Sequence, residues 1–214
     1  MHFAARKTIL STCAACVLFS ATSFAQSSLP KLETDISKQP AGEYIVDKAH
    51  ASVTWKVAHM GLSQYTARFD IMRGTLNLAP AAFASSRVEF NIDAKSVNTG
   101  IVPFDRKLAG SDYFDADKNP TITFKSTSIE AVNGNKFKLV GDLTFRGITK
   151  PISWDATFNG GQYSKFMQAH QIGFSVKGVV KRSTWDLKTY LDLIGDEVDI
   201  AIEVELLHRP QQLQ

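Results

Sequence analysis

Cysteine is nearly missing from this 214-residue chain: Cys13 and Cys16 are the two it has, and both fall within the first 25 residues. No disulfide framework or cysteine-ligated metal is available to the rest, which must hold together by packing alone. An excess of charge is missing too. The formal net charge is +3, and setting aside the leading Arg6 and Lys7 leaves +1. That gives no electrostatic footprint for nucleic acid or an anionic membrane face. No apolar run reaches the roughly 20 residues that span a bilayer. Catalytic signatures are absent: there is no Gly-x-Ser-x-Gly elbow and no Gly-rich phosphate cradle. What the chain does have is 44% hydrophobic and 21% charged residues, a composition unlike a disordered tail or a coiled coil. Its length suffices for a core without staples.

The first 25 residues read as an address. Arg6 and Lys7 precede an apolar run from Thr8 to Phe19, and Ser23 and Ala25 put small residues at the −3 and −1 positions. This pattern predicts a secretory signal peptide cleaved before Gln26 and a soluble, periplasmic product with no transmembrane segment. Cys13-x-x-Cys16 lies inside the signal with no βα context, so its redox-like spacing is coincidental. Too few residues separate Lys7 from Cys13 for a lipoprotein signal. Residues 26–42, with Pro30, Pro40 and Gly42, read as a flexible leader, residues 43–206 as the folded domain and residues 207–214 as a tail.

Within that domain the apolar period is two. Val53, Trp55 and Val57 alternate with polar neighbours, as do Tyr65, Ala67, Phe69 and Ile71, with Leu76 and Leu78 resuming after a bend expected at Gly74. Further runs centre on Phe90, Ile122–Phe124, Phe137–Phe145, Ile152–Phe158, Ile172–Val176 and Val198–Val204. Asn133-Gly134 signals a hairpin, a turn falls at residues 146–150, and Asn159-Gly160-Gly161 is expected to end a strand. These are eight runs, apart from a short candidate at Tyr44–Val46, and no helix lies between most of them. The expected fold is an all-β antiparallel barrel or sandwich. The long connection from Lys95 to Asn119 is the exception, and Phe104, Leu108 and Ala109 suggest a short helix over one barrel end.

Aromatic residues crowd the apolar faces, beside the small Ala67, Gly141 and Ala156. An eight-stranded barrel is just wide enough for its side chains to fill it or for one slim ligand to enter. Composition alone leaves both readings open: a ligand channel, or a structural barrel with a filled core.

Four ordered blocks carry a resemblance. Tyr44-x-x-Asp47-x-x-His50-x-x-Val53-x-Trp55-x-Val57-x-His59-x-Gly61 is the first; Leu108-x-x-Ser111-Asp112-Tyr113-Phe114-Asp115 with Pro120–Ser126 is the second. Gly141–Pro151 and the acidic-aliphatic ending Asp196–Glu205 complete the set. Together they resemble the YceI-like polyisoprenoid-binding proteins over about residues 44–206. The resemblance implies an eight-stranded lipocalin-like barrel around an apolar channel that binds isoprenoid chains, quinone tails or other long lipids, without catalysis or a resident cofactor. It also implies homodimers in some members. Lys107 and Asn119 depart from the His and Tyr that many members carry there.

The expected wall residues are Val57, Phe69, Phe90, Phe124, Leu143 and Trp154, with His59 shaping the mouth and Arg106 recognising a polar head group. His50 and His59, nine apart, do not have metal-ligand spacing. His50 is expected to make a turn hydrogen bond and Asp47 to bond turn amides. His170 and His208 have no partner signature.

Overall fold

The computed structural model describes residues 31–209, so the expected signal peptide, the Cys13–Cys16 pair and residues 210–214 lie outside the described residues. The strands are β1 (Gly42–His59), β2 (Ser63–Phe69), β3 (Met72–Leu78), β4 (Arg87–Asp93), β5 (Val97–Asn98), β6 (Thr121–Asn133), β7 (Lys136–Phe145), β8 (Ile148–Ser164), β9 (Ala169–Lys181) and β10 (Ile194–Arg209). One helix, α1 (Val102–Ala109), lies inside the long connection where a helix is expected. Neighbours follow the order β10-β9-β8-β7-β6-β4-β3-β1-β2-β5, and β10 pairs back onto β1 to close the sheet. All pairings are antiparallel.

Closure yields eight staves because β2 and β3 share one. The second half of β1, Val53–His59, pairs with β2, and its first half, Gly42–Ile45, pairs with β3. The break falls at Asp70-Ile71, not at Gly74. There Ser96 stands in for a strand, its carbonyl accepting from Asp70 N at 2.9 Å and its hydroxyl from Ile71 N at 3.1 Å. The bend spends two exposed residues between inward Phe69 and Met72 where alternation allows one, and that single extra residue reverses the facing of the chain. Ile71, expected inward, is exposed, and Met72 is buried instead.

The hairpins follow turn chemistry. Gly134 sits at φ +56° between β6 and β7. β7 and β8 are joined by Arg146-Gly147 alone, with φ of +50° and +72°, the two left-handed residues a tight twisted hairpin needs. Asn159-Gly160-Gly161 does not end its strand: β8 passes a bulge at Phe158/Gly160 and continues to Ser164. The glycines answer a different demand. Glu33 N donates to Gly161 O at 3.0 Å, and Gly161 N to Glu33 O at 2.9 Å. A Cβ on Gly161 would strike the buried Gln39 side chain. The described part of the expected leader is therefore anchored at Glu33 and the buried Gln39, with a 3₁₀ turn at Ile36–Lys38, though most of its side chains are exposed. At the other terminus the expected tail begins inside β10, where His208 pairs with Tyr44.

The interior divides in two. In the closed half Tyr44, Phe158, Ile172 and Leu206 are almost fully buried. The Pro80–Ser85 segment plugs that end by setting Phe83 against Phe137, ring centroids 4.4 Å apart. The other half is hollow.

Candidate functional site

A cavity of about 530 Å³ occupies the hollow half, within the size range of small-molecule pockets. Strand periodicity builds its walls: Val53, Trp55 and Val57 from β1 lie beside their register partners Ile202, Ile200 and Val198 from β10. Ile122, Leu143 and Trp154 continue the wall across β6, β7 and β8. Trp154 forms the floor and is backed by Phe124, the ring centroids 5.5 Å apart and the rings 20° from parallel. Each ring lies on a glycine. Trp154 covers Gly178 and Phe124 covers Gly141, and a Cβ at either position would collide with the ring. The small residue at position 141 thus seats an aromatic ring rather than opening a channel. Below the floor only about 40 Å³ remains, bordered by Phe90, Ala156 and Phe174 among others.

The mouth mixes aromatic and basic groups. His59 ends β1 and Met60 follows it in the β1–β2 turn, Tyr65 comes from β2, Phe104 and Lys107 from α1, and Tyr190 from the β9–β10 connection. Lys107 Nζ stands 5.7 Å from the Tyr113 ring centroid. Arg182 is 6% exposed and spends its guanidinium on backbone carbonyls: Gly195 and Thr189 at 2.8 Å, Leu187 at 3.1 Å and Ile194 at 2.7 Å. Burial pushes its pKa below the ordinary value, against the upward pull of Asp196. Its role is to hold the connection that forms one side of the mouth. Among the described residues, no carboxylate borders the cavity. The arrangement can enclose an apolar chain and orient a polar end.

A second cluster lies elsewhere. Ligand atoms of Asp47, His50 and Glu205 fall within 4.8 Å of one another. The bulge of β1 between Val46 and Ala51 accounts for the first two. Asp47 accepts from Ala49 N at 3.0 Å and meets His50 Nδ1 at 2.8 Å, the expected turn bonds. His208 Nε2 lies 3.0 Å from Ala41 O, and His170 packs edge-on against Tyr163.

The model of the YceI-like domain family matches residues 44–206. The chain belongs to the YceI-like family. Protein YceI of Shigella flexneri is 32% identical over 167 residues, covering 77% of this chain and 86% of that protein. Among solved structures, BcnA of Burkholderia cenocepacia superposes with a TM-score of 0.68 at 25% identity, covering 75% of this chain and 98% of that one. A polyisoprenoid binding domain from Saccharophagus degradans, implicated in plant cell wall breakdown, gives 0.61 at 15% identity over 79% of this chain and 100% of that domain, a likeness of fold alone.

On this YceI-like barrel, the expected wall residues sort by height. Val57, Phe69, Leu143 and Trp154 border the large cavity, as does His59 at its mouth. Phe124 stacks on Trp154 but borders neither the large cavity nor the small void, so it backs the wall without forming it, a first correction. Phe90 is a second: it borders the small void and is not a wall residue of the large cavity. Arg106 is a third: it is exposed on α1 and does not border the cavity. Helical spacing puts Phe104, Lys107 and Leu108 on the face toward the barrel and turns Arg106 away. Trp185, Leu187, Tyr190 and Leu193 also border the cavity and were missed. They sit in a connection with no period-two pattern, and the density of large apolar residues between Trp185 and Leu193 was the signal available.

Proposed function

We propose that this protein is an exported, periplasmic, non-enzymatic carrier of an isoprenoid-like or other long-chain lipid. The observation that carries the reading is the cavity of about 530 Å³ with apolar walls inside a closed barrel. Each methylene buried there is worth about 0.8 kcal/mol, so a chain of modest length needs few polar contacts. Selectivity then follows from the depth of the Trp154 floor, with His59 and Lys107 orienting the head group. The polyisoprenoid binding domain of Saccharophagus degradans, alike in fold, agrees with this cargo class, and membership of the YceI-like family agrees with the architecture. The alternative, a structural barrel with a filled core, describes the closed half only. Homodimerisation rests on the family resemblance and is checked by light scattering.

The test is native mass spectrometry of protein secreted into a lipid-rich periplasm, followed by extraction. The expected species is a chain beginning at Gln26 with an apolar adduct. Val57→Trp and Ile122→Trp place new rings in empty space, so both variants should fold and carry at least tenfold less adduct, as expected when several methylenes lose their burial. A wild-type protein that never carries a lipid, or blocked variants that keep a full load, would overturn the carrier reading.

A further inference from the structure

Two neighbouring loops crown the cavity mouth with large apolar side chains in water. The β1–β2 tip presents Met60 and Leu62, and the end of the β9–β10 connection presents Tyr190, Leu191 and Leu193. The loops are joined: Met60 N donates to Leu193 O at 2.7 Å, and His59 pairs with Ile194. Leu62 is 82% exposed, and Met60, Tyr190 and Leu193 are each about half exposed. Met60, Tyr190 and Leu193 also border the cavity, so the exposed rim and the apolar interior form one continuous surface.

The backbone adds an independent observation. Met60 and Tyr190 sit in the left-handed region, with φ of +52° and +54°. Glycine or asparagine fits such positions more cheaply, and a polar residue fits an exposed tip better. Here the chain carries both the backbone strain and the exposed apolar area at the cavity mouth, where strain often accompanies function.

We propose that this rim docks on the surface of a lipid bilayer, so that cargo moves between membrane and cavity without crossing water. The occupant follows from the continuity of surfaces. Whatever covers Met60, Tyr190 and Leu193 meets the cargo's exit, and a bilayer both shelters those side chains and dissolves the chain that leaves. This rests on the carrier reading for the nature of the cargo. Charges near the rim are mixed, with Lys107 and a Lys188–Asp186 pair at 2.9 Å beside Asp112 and Asp192. The expected membrane is therefore zwitterionic, and binding should resist salt.

The barrel closes entirely within residues 32–209, so the experiment uses the chain from Gln26, free of the apolar run that would float by itself. The protein is floated with phosphatidylcholine vesicles at about 0.1 and 0.5 M salt, across which electrostatic range falls more than twofold. Comparable flotation at both concentrations is expected. Leu62→Asp and Leu191→Asp, both at exposed positions outside the cavity lining, should keep the wild-type thermal unfolding. Each should lower partitioning roughly tenfold or more, since a fully buried Leu is worth about that factor. Phe166→Asp serves as the comparison: Phe166 is 93% exposed on the β8–β9 tip, at the opposite end of β8 and β9 from the mouth connection, and its loss should change nothing.

Uptake of a fluorescent isoprenoid-chain probe from the same vesicles should slow in Leu62→Asp while reaching the same final occupancy. Docking is overturned if wild type does not float, if Phe166→Asp abolishes flotation while Leu62→Asp does not, or if light scattering shows a dimer that Leu62→Asp converts to monomer. A protein that takes up probe from detergent but never floats keeps the carrier reading and loses this one. A protein that floats through the rim yet takes up no probe keeps docking and loses the carrier.

Discussion

Asp47 and His50 show how one short contact sets a local shape and a pH response. The β1 bulge leaves the Asp47–His50 segment outside the ladder, and the 2.8 Å contact between the two side chains ties it down. The hydrogen bond to Asp47 and its negative charge hold the His50 pKa above its ordinary value. For Asp47, partial burial acts upward but is outweighed by the bonds from His50 and Ala49 N, so its pKa lies below the ordinary carboxylate value. The signs then define a window. A raised histidine pKa gives stability that is fully present below about 6.5 and is lost as pH rises through the folded value. A depressed carboxylate pKa gives stability that is present above about 3.9 and is lost as pH falls through the folded value. The stability difference between wild type and Asp47→Asn should be largest near pH 5, within that window, and shrink on either side. An NMR titration of His50 should move back toward about 6.5 in Asp47→Asn. An unmoved titration would remove Asp47 as the cause.

At the scale of elements, glycine beside a strand end has two meanings that sequence does not separate. Asn133-Gly134 turns the chain, whereas Gly160-Gly161 receives another segment against a continuing strand. Gly161→Val should therefore push Gln39 and Glu33 off the barrel without unmaking the β8–β9 hairpin. The expected result is faster proteolysis after Lys38, with a loss of about 1–3 kcal/mol, the usual range for overpacking. Unchanged cleavage would mean that the 32–39 segment does not depend on this contact. The same contrast marks what was legible beforehand. Eight staves, a turn beginning at Arg146 and a helix near Phe104 could all be read, because alternation and turn chemistry are local, although the turn ends at Gly147 rather than at the expected Lys150. The switch of facing at Ile71 depends on Ser96, 25 residues away, and the anchoring of the supposed leader depends on Gly161; neither has a local signature. Within the site, strand residues such as Val57 and Leu143 were legible as inward. Their height in the barrel was not, because stave stagger decides whether an inward ring such as Phe90 reaches the cavity or lies beneath its floor.

Across the whole molecule, the Trp154 floor, backed by Phe124, divides a packed half, which holds the barrel together, from a hollow half, which can accept a ligand. Leu139 and Leu143 on β7 test that division with one chemistry on one strand. Both are buried and both face inward, but Leu139 borders the small void in the closed half and Leu143 borders the large cavity. Truncating a leucine costs the lost transfer free energy plus a term for the contacts its neighbours lose around the new hole, together about 2–5 kcal/mol. In the empty protein, Leu143 already faces open space on one side, so fewer neighbours lose contacts. Leu143→Ala should fall at the low end of that range and Leu139→Ala at the high end, as read by urea denaturation of delipidated protein. Ligand changes the comparison. A lipid present at 100 times its dissociation constant adds about 2.7 kcal/mol to stability, and part of its binding energy comes from contact with Leu143. The added stability should therefore be smaller in Leu143→Ala and unchanged in Leu139→Ala, so that loading narrows the gap between Leu139→Ala and wild type not at all while widening that of Leu143→Ala. If lipid stabilised both variants equally, Leu143 would carry no part of the binding energy, and the hollow half would not be where the cargo lies.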